Sequence, residues 1–269
     1  MNFNNNDAYE LLASRAGDYL SLSERGELVC GNFLTPSEAA YTISVLKSLK
    51  ASDRAFLFGG YKDAERKRIF VLPSYLSDLD GTPEEKAEQY FPEELSSSVR
   101  AIKIQGSGYR ELSHRDYLGS ILALGIERSA IGDIVVLDTH SAILFCTDKI
   151  SGYLLANLER IASDKVTLSE IEVSEDALPK REFKPISDTV ASNRLDCVVA
   201  ALTNLSREKA QALIKSGLCE VDYMPEQRVD VSLKMPSTVT LRGYGKFNLL
   251  SFDGETKRGR LRLVAQKYV

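Results

Sequence analysis

Histidine, the side chain best suited to acid–base work near neutrality, occurs only at His114 and His140. His114-Arg115-Asp116 spells the tripeptide of a kinase catalytic loop, but the metal-binding asparagine, the Asp-Phe-Gly, the glycine-rich loop and the V-A-I-K strand are absent. The tripeptide suits the first turn of a helix capped by Ser113, where Asp116 favours the helix dipole. Gly106-x-Gly108 follows a strand-like stretch and precedes that helix. Without the third glycine and the later acidic residue of a dinucleotide site, it reads as a tight turn. No G-x-S-x-G, H-E-x-x-H or P-loop occurs, and the carboxylates show no isolated pair. Cys30, Cys146, Cys197 and Cys219 are widely separated and form no C-x-x-C, which argues against a zinc cage and a disulfide framework. The expectation is a protein that is not an enzyme and needs no metal or cofactor.

The cations tell more. Over 269 residues the formal net charge is −4, with 34 Lys and Arg against 38 Asp and Glu. Residues 180–269 carry 16 basic and 10 acidic residues, a net of +6, whereas residues 1–179 carry 18 and 28, a net of −10. A basic module on an acidic chain points to a polyanion. Within it, Ser206 caps a helix over Arg207–Lys215 that Gly217 closes, and helix N-termini attract phosphates. Arg207 and Lys215 are two turns apart and point within about 80° of each other. Arg242-Gly243-Tyr244-Gly245-Lys246-Phe247 reads as a hairpin with two cations and two aromatics, and its glycines permit close backbone approach. With Arg194 and Lys209, these residues put several cations into one small unit.

These residues need a scaffold. With 43% hydrophobic and 27% charged residues, the composition is that of a globular α/β (α+β) protein. The patterning divides it into an N-terminal α/β domain over 1–80, a middle domain over 81–178 and a C-terminal domain over 186–269. Helices are expected over Asp7–Leu20 and from a Thr35 cap to about Lys50, with strands at Phe56–Phe58 and Arg68–Leu72. Asp78–Pro92 reads as a solvated linker or short exposed helix. The middle domain then runs Val99–Gln105 (strand), His114–Leu124 (helix), Ile134–Leu137 and Ala142–Cys146 (strands), Asp148 to about Ala162 (helix) and Lys165–Val173 (strand). That order is the βαββαβ of ferredoxin-like, RRM-like folds. It lacks the RRM aromatic signature, since Ala142–Cys146 offers only Phe145, so any RNA contact there is expected through loops or basic edges. Past a boundary at Pro179–Pro185, Thr189–Leu202 reads as a helix, and Leu218–Val221, Val229–Leu233, Thr238–Leu241 and Leu261–Val264 read as strands. The first twenty residues lack a charged n-region followed by an apolar h-region, and no long apolar run follows. A cytoplasmic protein without membrane partners is expected.

Arg194-Leu195-Asp196, Ser206-Arg207 with Ala210, Ile214, Lys215 and Gly217, then Val221 and Arg242-Gly243-x-Gly245-Lys246-Phe247 resemble the small RNA-binding domain named after ribosomal protein S-four. The resemblance implies a compact αα-β unit that grips structured RNA by its phosphates, with RNA contact at Arg194, Ser206, Arg207, Lys209, Lys215, Arg242 and Lys246. The family's V-x-V-N-G reads Val221-Asp222-Tyr223-Met224 here, which puts an acid where RNA contact is expected. Upstream, Leu34-Thr35-Pro36-x-Glu38, Gly59-Gly60-Tyr61 with Glu65-Arg66, Ser113 to Gly119, Leu124-Gly125-Ile126-x-Arg128 and Ile131-Gly132-Asp133-Ile134 resemble the YlmH family of bacterial proteins. That resemblance implies a ribosome-associated quality-control factor on the large subunit, contacting rRNA and tRNA and assisting alanine tailing of stalled chains. The alternatives are an RNA-modifying enzyme tethered by the same module and a scaffold whose acidic half binds basic proteins.

Overall fold

Three hydroxyl residues begin helices by one reciprocal device. Thr35, Thr82 and Ser113 each accept the N–H three residues on, and Glu38, Glu85 and Asp116 each reach back to the capping residue's own N–H. The computed structural model describes residues 5–174, 178–179, 181–256 and 259–269, and divides the chain into two units, Met1–Pro179 and Lys180–Val269. Lys180, inside the expected Pro179–Pro185 boundary, lies outside the described residues.

The first unit opens with α1 (Asn5–Ser23), β1 (Val29–Leu34), α2 (Pro36–Ser48), β2 (Ala55–Phe58) and β3 (Lys67–Val71). The strands pair antiparallel in the order β1-β3-β2, and Leu12, Ala16 and Leu46 of the helices bury against Ile69 and Val71. Asp78–Pro92, expected as a solvated linker or short exposed helix, contains the helix α3 (Pro83–Tyr90), and α4 (Pro92–Ser98) follows it, each opened by a proline. Ala87 is buried with Phe56, Phe70 and Leu72, and Phe91 and Leu95 pack against them. Its charged residues concealed a short apolar stripe.

Next come β4 (Val99–Gly106), α5 (His114–Ala123), β5 (Ile131–Asp138), β6 (Ser141–Thr147), α6 (Asp148–Asn157), β7 (Arg160–Ile161) and β8 (Asp164–Ile171). The sheet order is β5-β6-β4-β8-β7, antiparallel throughout, with Tyr117, Ile121 and Leu154 of the helices packed on Ile102, Ile104 and Leu144. This is the ferredoxin-like βαββαβ arrangement expected from the element order. The second helix ends at Asn157 rather than near Ala162. Ala162 instead turns the chain at φ 50° into the β7–β8 hairpin, where buried Asp164 accepts hydrogen bonds from the Ser107 hydroxyl and N–H.

The second unit comprises β9 (Phe183–Val190), α7 (Leu195–Thr203), α8 (Arg207–Lys215), β10 (Cys219–Val221), β11 (Met224–Pro225), β12 (Ser237–Leu241), β13 (Gly245–Glu255) and β14 (Leu261–Tyr268). They build an antiparallel sheet in the order β11-β10-β12-β13-β14-β9. Val198, Val199, Ala210 and Ile214 cover one face, against Val239, Leu241, Phe247, Leu249 and Leu263. Each of the fully buried valine, leucine, isoleucine and phenylalanine side chains contributes about 1.5–3 kcal/mol.

Two expectations fail in this unit. Thr189–Leu202 is not one helix, because Thr189 and Val190 finish β9, which pairs with β14 along its whole length, and α7 begins only after Arg194. Pro185 fits that edge strand and would be excluded from a helix interior. Val229–Leu233 is not a strand. Its carbonyls at Val229 and Val231 cap the start of α7 by accepting from Asp196 and Leu195 N–H, and Ser232 makes only an isolated bridge to Arg194.

Candidate nucleic-acid interface

Asp196 organises the helix-pair cations. It lies in the first turn of α7, and its side chain is fully buried. Arg194 donates from Nε and Nη2 to the two carboxylate oxygens at 3.2 and 3.3 Å; Arg207 Nε and Gln211 Nε2 reach Oδ2 at 2.9 and 2.7 Å. Burial opposes ionisation of this carboxyl, but the hydrogen bonds from Gln211, Arg207 and Arg194 outweigh it and hold its pKa well below the usual carboxylate range. The same contacts raise the Arg207 pKa. The two arginine side chains remain 38% and 53% exposed, so the trio presents a net charge of +1 with both guanidinium planes held in place.

Ser206 caps α8 by accepting the Lys209 N–H at 3.3 Å, so that donor is already used. Lys209 lies about 200° round the helix from Arg207 and leads away from the Asp196 node. Lys215 is exposed at the C-terminal end of α8, and the Arg242 N–H bonds Leu218 O at 2.9 Å, which sets the β12–β13 turn beside the loop leaving that helix. Lys246 belongs to neither group. It precedes buried Phe247 on β13 and so projects from the sheet face opposite the helices, where its Nζ stands 4.8 Å from the Tyr223 ring centroid and 4.6 Å from that of Tyr268.

The structure thus brings Arg194 and Arg207 together, sets Arg242 near the end of α8, and sends Lys209 and Lys246 elsewhere. Asp222 does not face outward as an isolated acid: its carboxylate accepts from Ser237 Oγ at 2.9 Å and Thr238 N at 2.8 Å. Gln211, Tyr223 and Tyr268 were not foreseen. A glutamine four residues after Arg207 was the available signal for the first; the other two meet Lys246 only through strand pairing.

In the first unit, the sheet face that RRM modules use for bases is occupied. Phe145 is buried, its ring centroid lies 4.8 Å from that of Tyr61, and a Cβ on Gly60 would stand 2.6 Å from its Cδ1. Asp133 locks this cover by accepting from Tyr61 Oη at 2.8 Å, Glu65 N at 2.7 Å and Arg66 N at 3.1 Å. Gly132 leaves no room for a side chain, since a Cβ would come within 2.7 Å of Phe33. Beside the cover runs a groove of about 830 Å³ whose lining includes Glu88, Glu170 and Glu172, with Arg100 paired to Glu170 at 3.1 Å. Its carboxylates repel a polyanion. Among the described residues, no group of His, Cys, Asp and Glu could hold a metal ion, and no helix is long and apolar enough to cross a membrane.

Comparison with known proteins puts the family's RNA-binding description on the middle domain, residues 92–175, rather than on the helix pair. Residues 19–76 match the family model described as "YlmH, N-terminal", and residues 92–175 match "Putative RNA-binding domain in YlmH". The chain is 27% identical over 248 residues to the "Ribosome-associated protein quality control protein P2" of Bacillus subtilis (strain 168), covering 91% of this chain and 90% of that protein. Among solved structures, the "Cell division protein ylmH from Streptococcus pneumoniae" superimposes with a TM-score of 0.47 at 17% identity, over 64% of this chain and 94% of that one. With the two sheets of the first unit matched in turn by models of one family, and a relative aligned through both units, the chain belongs to the YlmH family.

Proposed function

We propose that this chain is an RNA-binding protein that associates with the large ribosomal subunit through rRNA and tRNA phosphates. It acts by binding rather than by catalysis, as a quality-control factor assisting alanine tailing of stalled chains. The observation that carries the reading is the Asp196 node, which holds Arg194 and Arg207 half-exposed on the α7–α8 helix pair. Guanidinium groups held in fixed planes suit bidentate phosphate contact. Lys215 and Arg242 add positive charge at the C-terminal end of α8, whereas Lys209 and Lys246 lie on other faces. The family's RNA-binding domain and the relative's ribosome-associated name support the same partner class.

Counterion release makes such binding fall steeply with salt. Filter binding to large subunits is therefore expected to weaken as salt rises, and to weaken at fixed salt with Arg207→Ala plus Lys215→Ala. Salt-independent binding, unaltered by the double substitution, removes the helix pair from the mechanism.

A further inference from the structure

The sheet face turned away from α7 and α8 carries a ladder of rings and cations. Lys246 sits between Tyr223 and Tyr268, at 4.8 and 4.6 Å from their centroids. On the next strand Phe183 meets Tyr268 edge-on at 5.0 Å, and the Arg181 guanidinium carbon stands 5.8 Å from the Tyr268 ring. Strand register explains the row: Tyr268 pairs with Phe183, and Lys267 with Phe247, which puts Tyr268 beside Lys246. Asn248 completes it. Its Oδ1 accepts from Thr238 Oγ1 at 3.2 Å and Tyr268 Oη at 3.1 Å, while its amide N–H groups have no partner among the described residues.

Tyr223 supplies a second, independent observation. It occupies the left-handed region at φ 66°, next to Asp222 at φ 49°, in the tight β10–β11 turn. Such turns favour glycine there, because a side chain at positive φ strains the backbone. Strain of this kind persists where the surroundings maintain it, and it concentrates at functional sites. Here it holds an aromatic ring against a cation at the rim of the ladder.

We infer that this face binds an unpaired RNA strand, with bases stacking on Tyr223, Tyr268 and Phe183 and phosphates meeting Lys246 and Arg181. The inference rests on the RNA-binding reading above and adds to it a second surface and a substrate class. Flat rings alternating with cations match the alternating bases and phosphates of a single strand. A duplex hides its base faces and leaves only its backbone to be gripped. A protein partner is disfavoured by the hydroxyls and amides of Thr238, Thr240, Asn248 and Gln266, which lie on this face among the rings.

The test compares a fluorescent oligouridylate with a blunt RNA duplex, using the full chain and anisotropy at fixed salt. Tyr223→Gly removes the ring while relieving the backbone, so melting temperature is expected to hold or rise. Affinity for the single strand is expected to fall roughly 5- to 100-fold, with duplex affinity unchanged. Phe183→Leu, which keeps apolar volume but loses the flat ring, should act in the same direction. Unchanged single-strand affinity in both variants overturns the inference. So does an equal loss on strand and duplex, or competition by polyglutamate as effective as that by RNA. Loss of duplex and subunit binding with Arg207→Ala plus Lys215→Ala, with oligouridylate binding retained, separates this surface from the helix pair. If the helix-pair variant leaves subunit binding intact while Tyr223→Gly still lowers strand affinity, the earlier reading fails and this one stands.

Discussion

Arg207 donates its Nε–H to Asp196 Oδ2 at 2.9 Å, joining the first turn of α8 to the first turn of α7. One buried carboxylate thereby both ties the two helices together and holds the side chains proposed to meet phosphate. Stability and binding are coupled at this point, and substitutions that separate them are the informative ones.

Asp196→Asn keeps the shape but removes the charge that compensates two guanidinium groups. The two guanidinium groups are partly solvated, so the cost is that of the lost charge-assisted hydrogen bonds, about 1.5–3 kcal/mol. Hydrogen exchange of the α7 and α8 amides should accelerate accordingly, while protection in residues 99–171 stays as in the parent. Equal protection of α7 in both proteins contradicts this account of the node.

The same carboxyl predicts an acid response. Its pKa is lowered on folding, so its contribution is complete above the unfolded carboxylate value of about 4 and is lost as pH falls toward its depressed folded value. Exchange protection of α7, corrected for intrinsic rates, should be flat from pH 7 to 5 and decline below pH 4. In Asp196→Asn this acid-dependent component should be absent.

Asp133 accepts three hydrogen bonds that hold Tyr61 and the Glu65–Arg66 turn over the ferredoxin-like sheet. Asp133→Ala strands those donors and should cost about 2–4 kcal/mol, hydrogen bonds to a charged group being the stronger kind. Limited proteolysis is expected to cut near Lys62–Lys67 in the variant and not in the parent.

Phe145 offers a fourth test. Because Tyr61 and Gly60 cover it, Phe145→Leu should lower the stability of the first unit by about 1 kcal/mol and leave RNA affinity unchanged. A selective loss of RNA binding without loss of stability would show that bases reach this ring.

Much of the scaffold was legible because it rests on local chemistry. The Thr35 and Ser113 caps lie within three residues of their partners, and the alternation in Val99–Gln105 and Ala142–Cys146 marks strands wherever they end up. The order of those elements was enough to foresee the ferredoxin-like sheet. Leu195–Leu202 is helical as expected, but Thr189 and Val190 at the start of that stretch suit either state, and only pairing with β14, distant in sequence, selects the strand.

What the sequence determined by itself was a basic carboxyl-terminal module, its capped helix and the residue types able to hold phosphate, because charge and capping are properties of the chain alone. Tertiary structure decided which cations act together. A buried aspartate gathers Arg194 and Arg207, and strand register carries Lys246 to the other face between two tyrosines, since side-chain direction alternates along a strand and its neighbours come from remote parts of the chain.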